Sequence, residues 1–371
     1  MRRPFALDIE ELIPQNYPGG SKIMTNASNQ AAAAAEQLPP EAQLLQIAGG
    51  AFLSQAIYVA AKLGIADLAA DGPKHVSSLA ESTGMDERSL YRVMRALAGI
   101  GVFTEAEPRT FGNTPMAEAL RADHPRSTRD MIIWMGEEPH WQVYGDMLHS
   151  VKTGKPAWDH VHGEPVFPYL FQTNRELGEI FNRAMTSYSE QSIPGVLAAY
   201  DFSGARKVAD IAGGHGRLLA AVLEANPAAK GILFDLPPVL AGAPEMLESH
   251  GVRGRVELVE GDFFTQIPVK ADIYMMKHII HDWYEDNCEK ILRNIRGNMP
   301  DDGRVLIIET VVPEGDVPHF SKVIDLEMLV SPGGVERTAT EFETLLENSG
   351  FRLTRIIPTQ GMMSLIEAVK A

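Results

Sequence analysis

Residues 275–286 read MMKHIIHDWYED, with His278 and His281 three apart and an acid directly after the second. Two histidines at this spacing suit a zinc site only if one helix presents both. Here they straddle a strand and the helix after it, with no third ligand in a recognisable motif, so no metal is expected. A general base is the second reading. Asp282-Trp283-Tyr284-Glu285 fits a capping box, which starts the following helix at Asp282 and sets His281 just before its N-terminus. The positive end of a helix disfavours an imidazolium and so keeps the imidazole neutral, ready to take a proton. Such a base also needs a carboxylate on Nδ1–H to fix its tautomer. Two acids are candidates: Glu309, which ends the apolar run RVLIIE, and Glu336 in GGVERT, just after a glycine turn. Asp282 reads as the helix cap and, from its place beside the base, as a residue facing the acceptor. His278 reads as a packed residue.

A second constellation lies upstream. VADIAGGHGRLL places Gly213, Gly214 and Gly216 between a strand and a helix, where glycines permit a tight turn and close approach of a ligand to the main chain. The next strand, KGILFDLP, ends in Asp235 about 20 residues on, where a nucleotide binder places the acid that holds ribose hydroxyls. The third strand ends in EGDFF, where Asp262 can accept from an adenine amino group and Phe263 can pack on the ring. NAD and S-adenosyl-L-methionine both carry adenosine; Leu219 stands where the last glycine of G-x-G-x-x-G would be, which counts against NAD.

The elements that hold these residues fall in two parts. From residue 196 to 371, short Val- and Ile-rich runs alternate with helical stretches, the pattern of a Rossmann-like, doubly wound, mostly parallel sheet with helices on both faces. Residues 38–195 read as mainly helical. Within them, helix, turn at Thr83-Gly84, helix from about Glu87 to Ala98 and a hairpin through Phe111 outline a winged helix. Arg88, Arg92 and Arg95 share one helical face, which opens the alternative of a DNA-binding regulator, whereas a solvated or dimer-forming face is the plainer reading. Residues 125–200 are rich in aromatics and methionine, and Trp134, Phe181 and Met185 are candidates to line an apolar pocket. Residues 1–37 read as a flexible extension, and Met24 is a candidate start of translation.

A net charge of −16 over 371 residues disfavours polyanionic partners, nucleic acid and anionic membrane alike. The single cysteine, Cys288, excludes an internal disulfide and fits a cytoplasmic protein. No unbroken apolar run reaches the roughly 20 residues of a membrane span.

The motifs DIAGGHG, FDLP, GDFF, MKHIIHDW and GGVERT, in this order, resemble those of the S-adenosylmethionine-dependent O-methyltransferases of the caffeate, acetylserotonin and bacterial polyketide type. The likeness spans about residues 40–370. It implies methyl transfer to a hydroxyl of an aromatic small molecule, with S-adenosyl-L-homocysteine as by-product and no metal. It implies a homodimer formed through the winged-helix part, with no binding of nucleic acid. It also implies His281 as base flanked by Glu309 and Glu336, Lys277, Ser189 and Leu236 at the cofactor, and Met328 against the acceptor ring. Some relatives use the same cofactor for hydroxylation, decarboxylation or cyclisation; the intact His–Glu set argues against that. One departure is Ala212, where the family commonly has glycine. A methyl group fits there if the backbone needs no positive φ.

Overall fold

The computed structural model describes residues 38–371. The extension expected over residues 1–37, with Met24, lies outside the described residues. The chain divides into two compact units: one runs to Trp141 and adds Glu179–Ser187, the other holds Gln142–Gly178 and Tyr188–Ala371. The division is therefore not the single boundary at 195/196 that the pattern of strands suggests. The long helix Arg175–Ala199 gives residues to both units.

The first unit contains the winged helix. β1 (Lys74–His75), β2 (Phe103–Glu107) and β3 (Thr110–Asn113) form a sheet of order β1-β3-β2 beside the helices Val76–Thr83 and Glu87–Gly99. Gly84, at φ 69°, ends the first helix. Asp86 caps the second by accepting from the Ser89 N–H at 2.8 Å. Leu90, Met94 and Leu97, at helical spacing, bury into a core with Phe103 and Phe111, while Arg88, Arg92 and Arg95 are exposed. Trp134 is buried, stacks on His140 at 4.2 Å and meets the edge of Phe181 at 5.1 Å. Met185 is half-buried in the same unit.

The helix Pro40–Lys62 adds something the search for an unbroken apolar run did not register. Glu41 and Gln43 interrupt it, yet by length and mean hydropathy it qualifies to cross a membrane. Little of it is buried, and Leu44, Leu45, Ile47 and Phe52 are exposed.

The second unit is built on a seven-stranded sheet: β4 (Lys207–Ile211), β5 (Lys230–Asp235), β6 (Val256–Glu260), β7 (Ile273–Lys277), β8 (Arg304–Thr310), β9 (Phe351–Pro358) and β10 (Met363–Lys370). The order is β6-β5-β4-β7-β8-β10-β9, parallel except for β10, which runs antiparallel to β8 and β9. Ile273 and Met275 of β7 enter one core, and Tyr274 and Met276 enter the other. Burial on both faces is why these strands read as continuous apolar runs. From β4 the chain winds outward to β5 and β6, then crosses back to β7 on the other side of β4. Ligands of such sheets bind at the carboxyl ends of the strands at that reversal.

Candidate active site

Three strand ends converge at the reversal. Beyond β4, Ala212 sits at φ 54°, so the backbone there does take the positive φ that the sequence reading made the condition against a side chain. Its N–H bond to Phe234 O at 2.8 Å holds it there against a strain of about 1–2 kcal/mol. Gly214, at φ 61°, donates to Asp235 Oδ2 at 2.9 Å, and Leu236 N–H donates to Oδ1 at 2.7 Å. Burial pushes the Asp235 carboxyl up, and these two bonds oppose it. A Cβ on Gly213 would lie 2.5 Å from Asp210 Cγ, whereas one on Gly214 would meet nothing within 4 Å. The loop is thus closed against its strand and open above.

Lys277 ends β7, and its Nζ donates to Ser189 Oγ at 2.7 Å. Burial pulls the ammonium down to about 8, against the charge of Asp210. Asp210, which sequence reasoning did not single out, is coupled by charge to Lys277 and Asp235. It is 2% exposed and its Oδ2 has no hydrogen-bond partner. Burial pushes it up to about 7, with Lys277 opposing. An acid inside the apolar run VADI was the available signal. Asp262 is exposed in the loop after β6 and is engaged by its own turn, accepting from Phe264 N–H at 2.8 Å and Thr265 hydroxyl at 3.2 Å. Phe263 packs against Phe264 and Trp283.

His281, 8% exposed, stands past the end of β7. Its Nδ1 lies 2.7 Å from Glu336 Oε1 and its Nε2 lies 3.6 Å from Asp282 Oδ1. Glu336 is itself fixed: the Thr310 hydroxyl donates to Oε2, and its main-chain N–H donates to Asp325 at 2.8 Å. The glycines of GGVERT make this approach possible, since a Cβ on Gly334 would fall 1.8 Å from His281 O. Met328, buried in the helix Ser321–Val330, accepts at its carbonyl from the N–H groups of Gly333 and Gly334. The rings of His278 and His281 are 5.0 Å apart. His278 adopts φ 56°, and its Nε2 is buried without a hydrogen-bond partner.

The geometry corrects three expectations about this segment. No capping box starts at Asp282: residues Ile280–Asp282 form a 3-10 turn, and the helix begins at Glu285 after Tyr284, which makes no side-chain cap. Asp282 turns to the imidazole instead. Glu309 does not reach the imidazole; its Oε1 accepts the main-chain N–H groups of Ile279, Ile280 and His281 at 3.1, 2.7 and 3.2 Å. Nor is His281 kept neutral by a helix end. Burial lowers its pKa, but the charge of Asp282, the bond to Glu336 and the charge of Glu309 outweigh burial and push it up to about 10.

The role of Glu309 leads to a stability prediction. Glu309→Ala strands two buried N–H groups and one partly buried, each buried one costing about 1–3 kcal/mol when unpaired. Losing the cost of a buried carboxyl, itself pushed up to about 7 by burial, offsets part of this. The expected net loss is about 2–4 kcal/mol, read as a fall of several degrees in thermal melts followed by circular dichroism.

One group with metal-ligand atoms within reach of one another occurs among the described residues, at Asp146, His149 and His160. The His149 and His160 rings are stacked at 4.0 Å, 7° from parallel, so their in-plane lone pairs run side by side and do not converge on an ion.

The glycine loop with its acid on the next strand and the buried histidine–carboxylate pair lie in the same compact unit. Residues 144–352 match the O-methyltransferase domain, and residues 45–123 match the O-methyltransferase dimerisation domain. The chain belongs to the S-adenosylmethionine-dependent O-methyltransferase family. It is 46% identical to the phenazine O-methyltransferase PhzM of Lysobacter antibioticus, over 89% of this chain and 96% of that one. It is 37% identical to the 8-amino-8-demethylriboflavin N,N-dimethyltransferase of Streptomyces davaonensis, over 84% of this chain and 90% of that one. The crystal structure of CalO1, a methyltransferase in calicheamicin biosynthesis in its SAH-bound form, matches with a TM-score of 0.80 at 34% identity, covering 92% of this chain and 98% of that one.

Proposed function

We propose that this protein methylates a hydroxyl group of a planar aromatic small molecule from S-adenosyl-L-methionine, with His281 as general base. The observation that carries the reading is the buried pair of His281 Nδ1 and Glu336 Oε1 at 2.7 Å. An acceptor phenol, with a pKa of about 10 by analogy with tyrosine, is a weak nucleophile until its proton leaves. An imidazole raised to about 10 matches that proton, so the transfer is nearly balanced in energy. Glu336 on Nδ1 leaves Nε2 as the accepting atom and stabilises the imidazolium as it forms. Met328 would pack on the acceptor ring; Trp134, Phe181 and Met185, read from the sequence as candidate pocket residues, belong to the other compact unit.

The residues fit the cofactor. Asp235 would take the ribose hydroxyls, with Leu236 beside it, and Asp262 and Phe263 would take the adenine. The open space over Gly214 admits the backbone-hugging part of the molecule, and Lys277 and Ser189 close the site. When bound, the cofactor supplies an activated methyl on a sulfonium, whose positive charge opposes that of an imidazolium nearby. No residue of this site calls for a metal.

A homodimer follows from the dimerisation-domain match and from the exposed apolar side chains of Pro40–Lys62, which a second copy would cover. The test of function is incubation with S-adenosyl-L-methionine and a panel of hydroxylated polycyclic and monocyclic aromatics. Gain of one methyl on oxygen, with release of S-adenosylhomocysteine, is expected. Methylation of amines alone would overturn the oxygen assignment. For the cofactor site, Asp235→Ala removes a charged acceptor for two hydroxyls. At about 1.5–3 kcal/mol per charge-assisted bond, S-adenosylhomocysteine should bind at least tenfold more weakly by calorimetry; unchanged affinity would remove Asp235 from the site.

A further inference from the structure

We propose that Arg337 is a positioning residue for His281: its guanidinium ties the main-chain carbonyls on both sides of the base to the segment that carries Glu336. Arg337 is 2% exposed. One terminal nitrogen donates to Ile280 O at 3.1 Å, and the other donates to Trp283 O at 2.9 Å. These carbonyls flank His281. The same loop has its amides gathered by Glu309 and the carbonyl of His281 held by Val335 N–H at 2.8 Å. Three successive residues thus act on one loop: Val335 holds the carbonyl of the base, Glu336 its ring, and Arg337 the carbonyls either side. The segment is anchored in turn, since Arg337 O accepts from Val312 N–H at 2.9 Å.

The choice of arginine is informative. Its carboxylate partner, Glu285, lies at 3.2 Å but is 62% exposed, and such a pair is worth little. The buried partners are neutral carbonyls, with Cys288 Sγ at 3.5 Å. The charge of buried Glu309 acts on Arg337 without a hydrogen bond, and a buried cation held this way still costs desolvation that an apolar residue would not. What the planar fork adds is the ability to hold two carbonyls three residues apart at fixed geometry, which the single ammonium of lysine does not do. The distance from the ring to Glu336 depends on both segments being held, and Arg337 joins them.

The inference rests on reading His281 as the base, and the experiment separates the two. Ring-15N histidine spectra report the His281 titration midpoint without any acceptor. In Arg337→Lys the midpoint should fall by about one unit or more toward the ordinary histidine value of 6.5, while affinity for S-adenosylhomocysteine stays within about twofold, because none of the proposed cofactor residues hydrogen-bonds to Arg337. With an acceptor, kcat should drop at least tenfold, with KM little changed. A folded Arg337→Lys with unaltered midpoint and kcat overturns the proposal. A shifted midpoint in an enzyme that methylates nothing would leave Arg337 in its role and remove the methyl-transfer reading. Glu285→Gln should leave the midpoint in place; a shift as large as that of Arg337→Lys would assign the effect to the exposed ion pair and overturn the proposal. In the wild-type protein, 15N-arginine spectra should show slowly exchanging Nη protons on Arg337, and rapid exchange would overturn it without any variant.

Discussion

His281→Ala is expected to abolish turnover while leaving S-adenosylhomocysteine affinity within about twofold of wild type. General-base catalysis contributes about 10²–10⁴-fold, and here the base is also the group whose loop Glu309 and Arg337 hold in place. The proposed cofactor residues are separate side chains outside the His281 turn: Asp235 at the end of β5, and Lys277 at the end of β7, paired with Ser189. Binding and turnover should therefore part company, which calorimetry and a methyl-transfer assay would show side by side. The pH profile sharpens the test. With its pKa raised to about 10, His281 is protonated at neutral pH in the cofactor-free enzyme, so kcat/KM should climb from neutral into alkaline pH as the proton leaves. The variant should lack that limb. Wild-type activity already flat above pH 6.5 would contradict the raised basicity, and unchanged turnover in His281→Ala would refute the assignment of the base.

The second large effect is expected from Glu336→Gln. The amide keeps nearly the same volume, so the loss is of charge and of a strong acceptor for Nδ1–H. Replacing the orienting acid of a histidine base by its amide lowers turnover by up to about 10⁴-fold when the tautomer is lost, and a fall of at least 10²-fold is expected here. The sign of the pH effect follows from the pair. Glu336 raises the basicity of His281, so the variant's rising limb should move to lower pH even as its plateau falls. Because the folded pKa of His281 lies above its unfolded value, the stability it contributes is present below pH 6.5 and lost as pH rises through about 10. Glu336→Gln should therefore destabilise more at pH 6 than at pH 10, as melts at the two values would show. A rising limb that stays put would mean that Glu336 does not set the base.

The legible part of this protein was the part encoded locally. Strand and helix alternation gave the mostly parallel sheet, because strands buried on both faces must be apolar throughout, as Ile273–Met276 are. The glycine loop and Asp235 were readable because tight turns and strand ends have their own residue chemistry, and the Gly214–Asp235 bond joins them. The winged helix was readable from Gly84, the cap at Asp86 and the spacing of Leu90, Met94 and Leu97. Asp282 misled because capping-box residues also occur where other groups claim the backbone. Glu309, 28 residues from His281, gathers the amides of Ile279, Ile280 and His281, the chain makes a 3-10 turn there, and the helix starts only at Glu285.

The sequence by itself determined the fold class and the order of the site motifs and singled out His281 as the candidate base, because each is written in residues close together along the chain. Tertiary structure alone decided which carboxylate meets which group: Glu336 the ring, Glu309 the loop amides, Asp282 the far nitrogen. It also decided the charge of His281 and the burial of Asp210 and Arg337. Those are sums over neighbours tens of residues apart, in surroundings where removal from water and nearby charge act against each other. Neither the distances nor the burial that set that balance can be read along a chain.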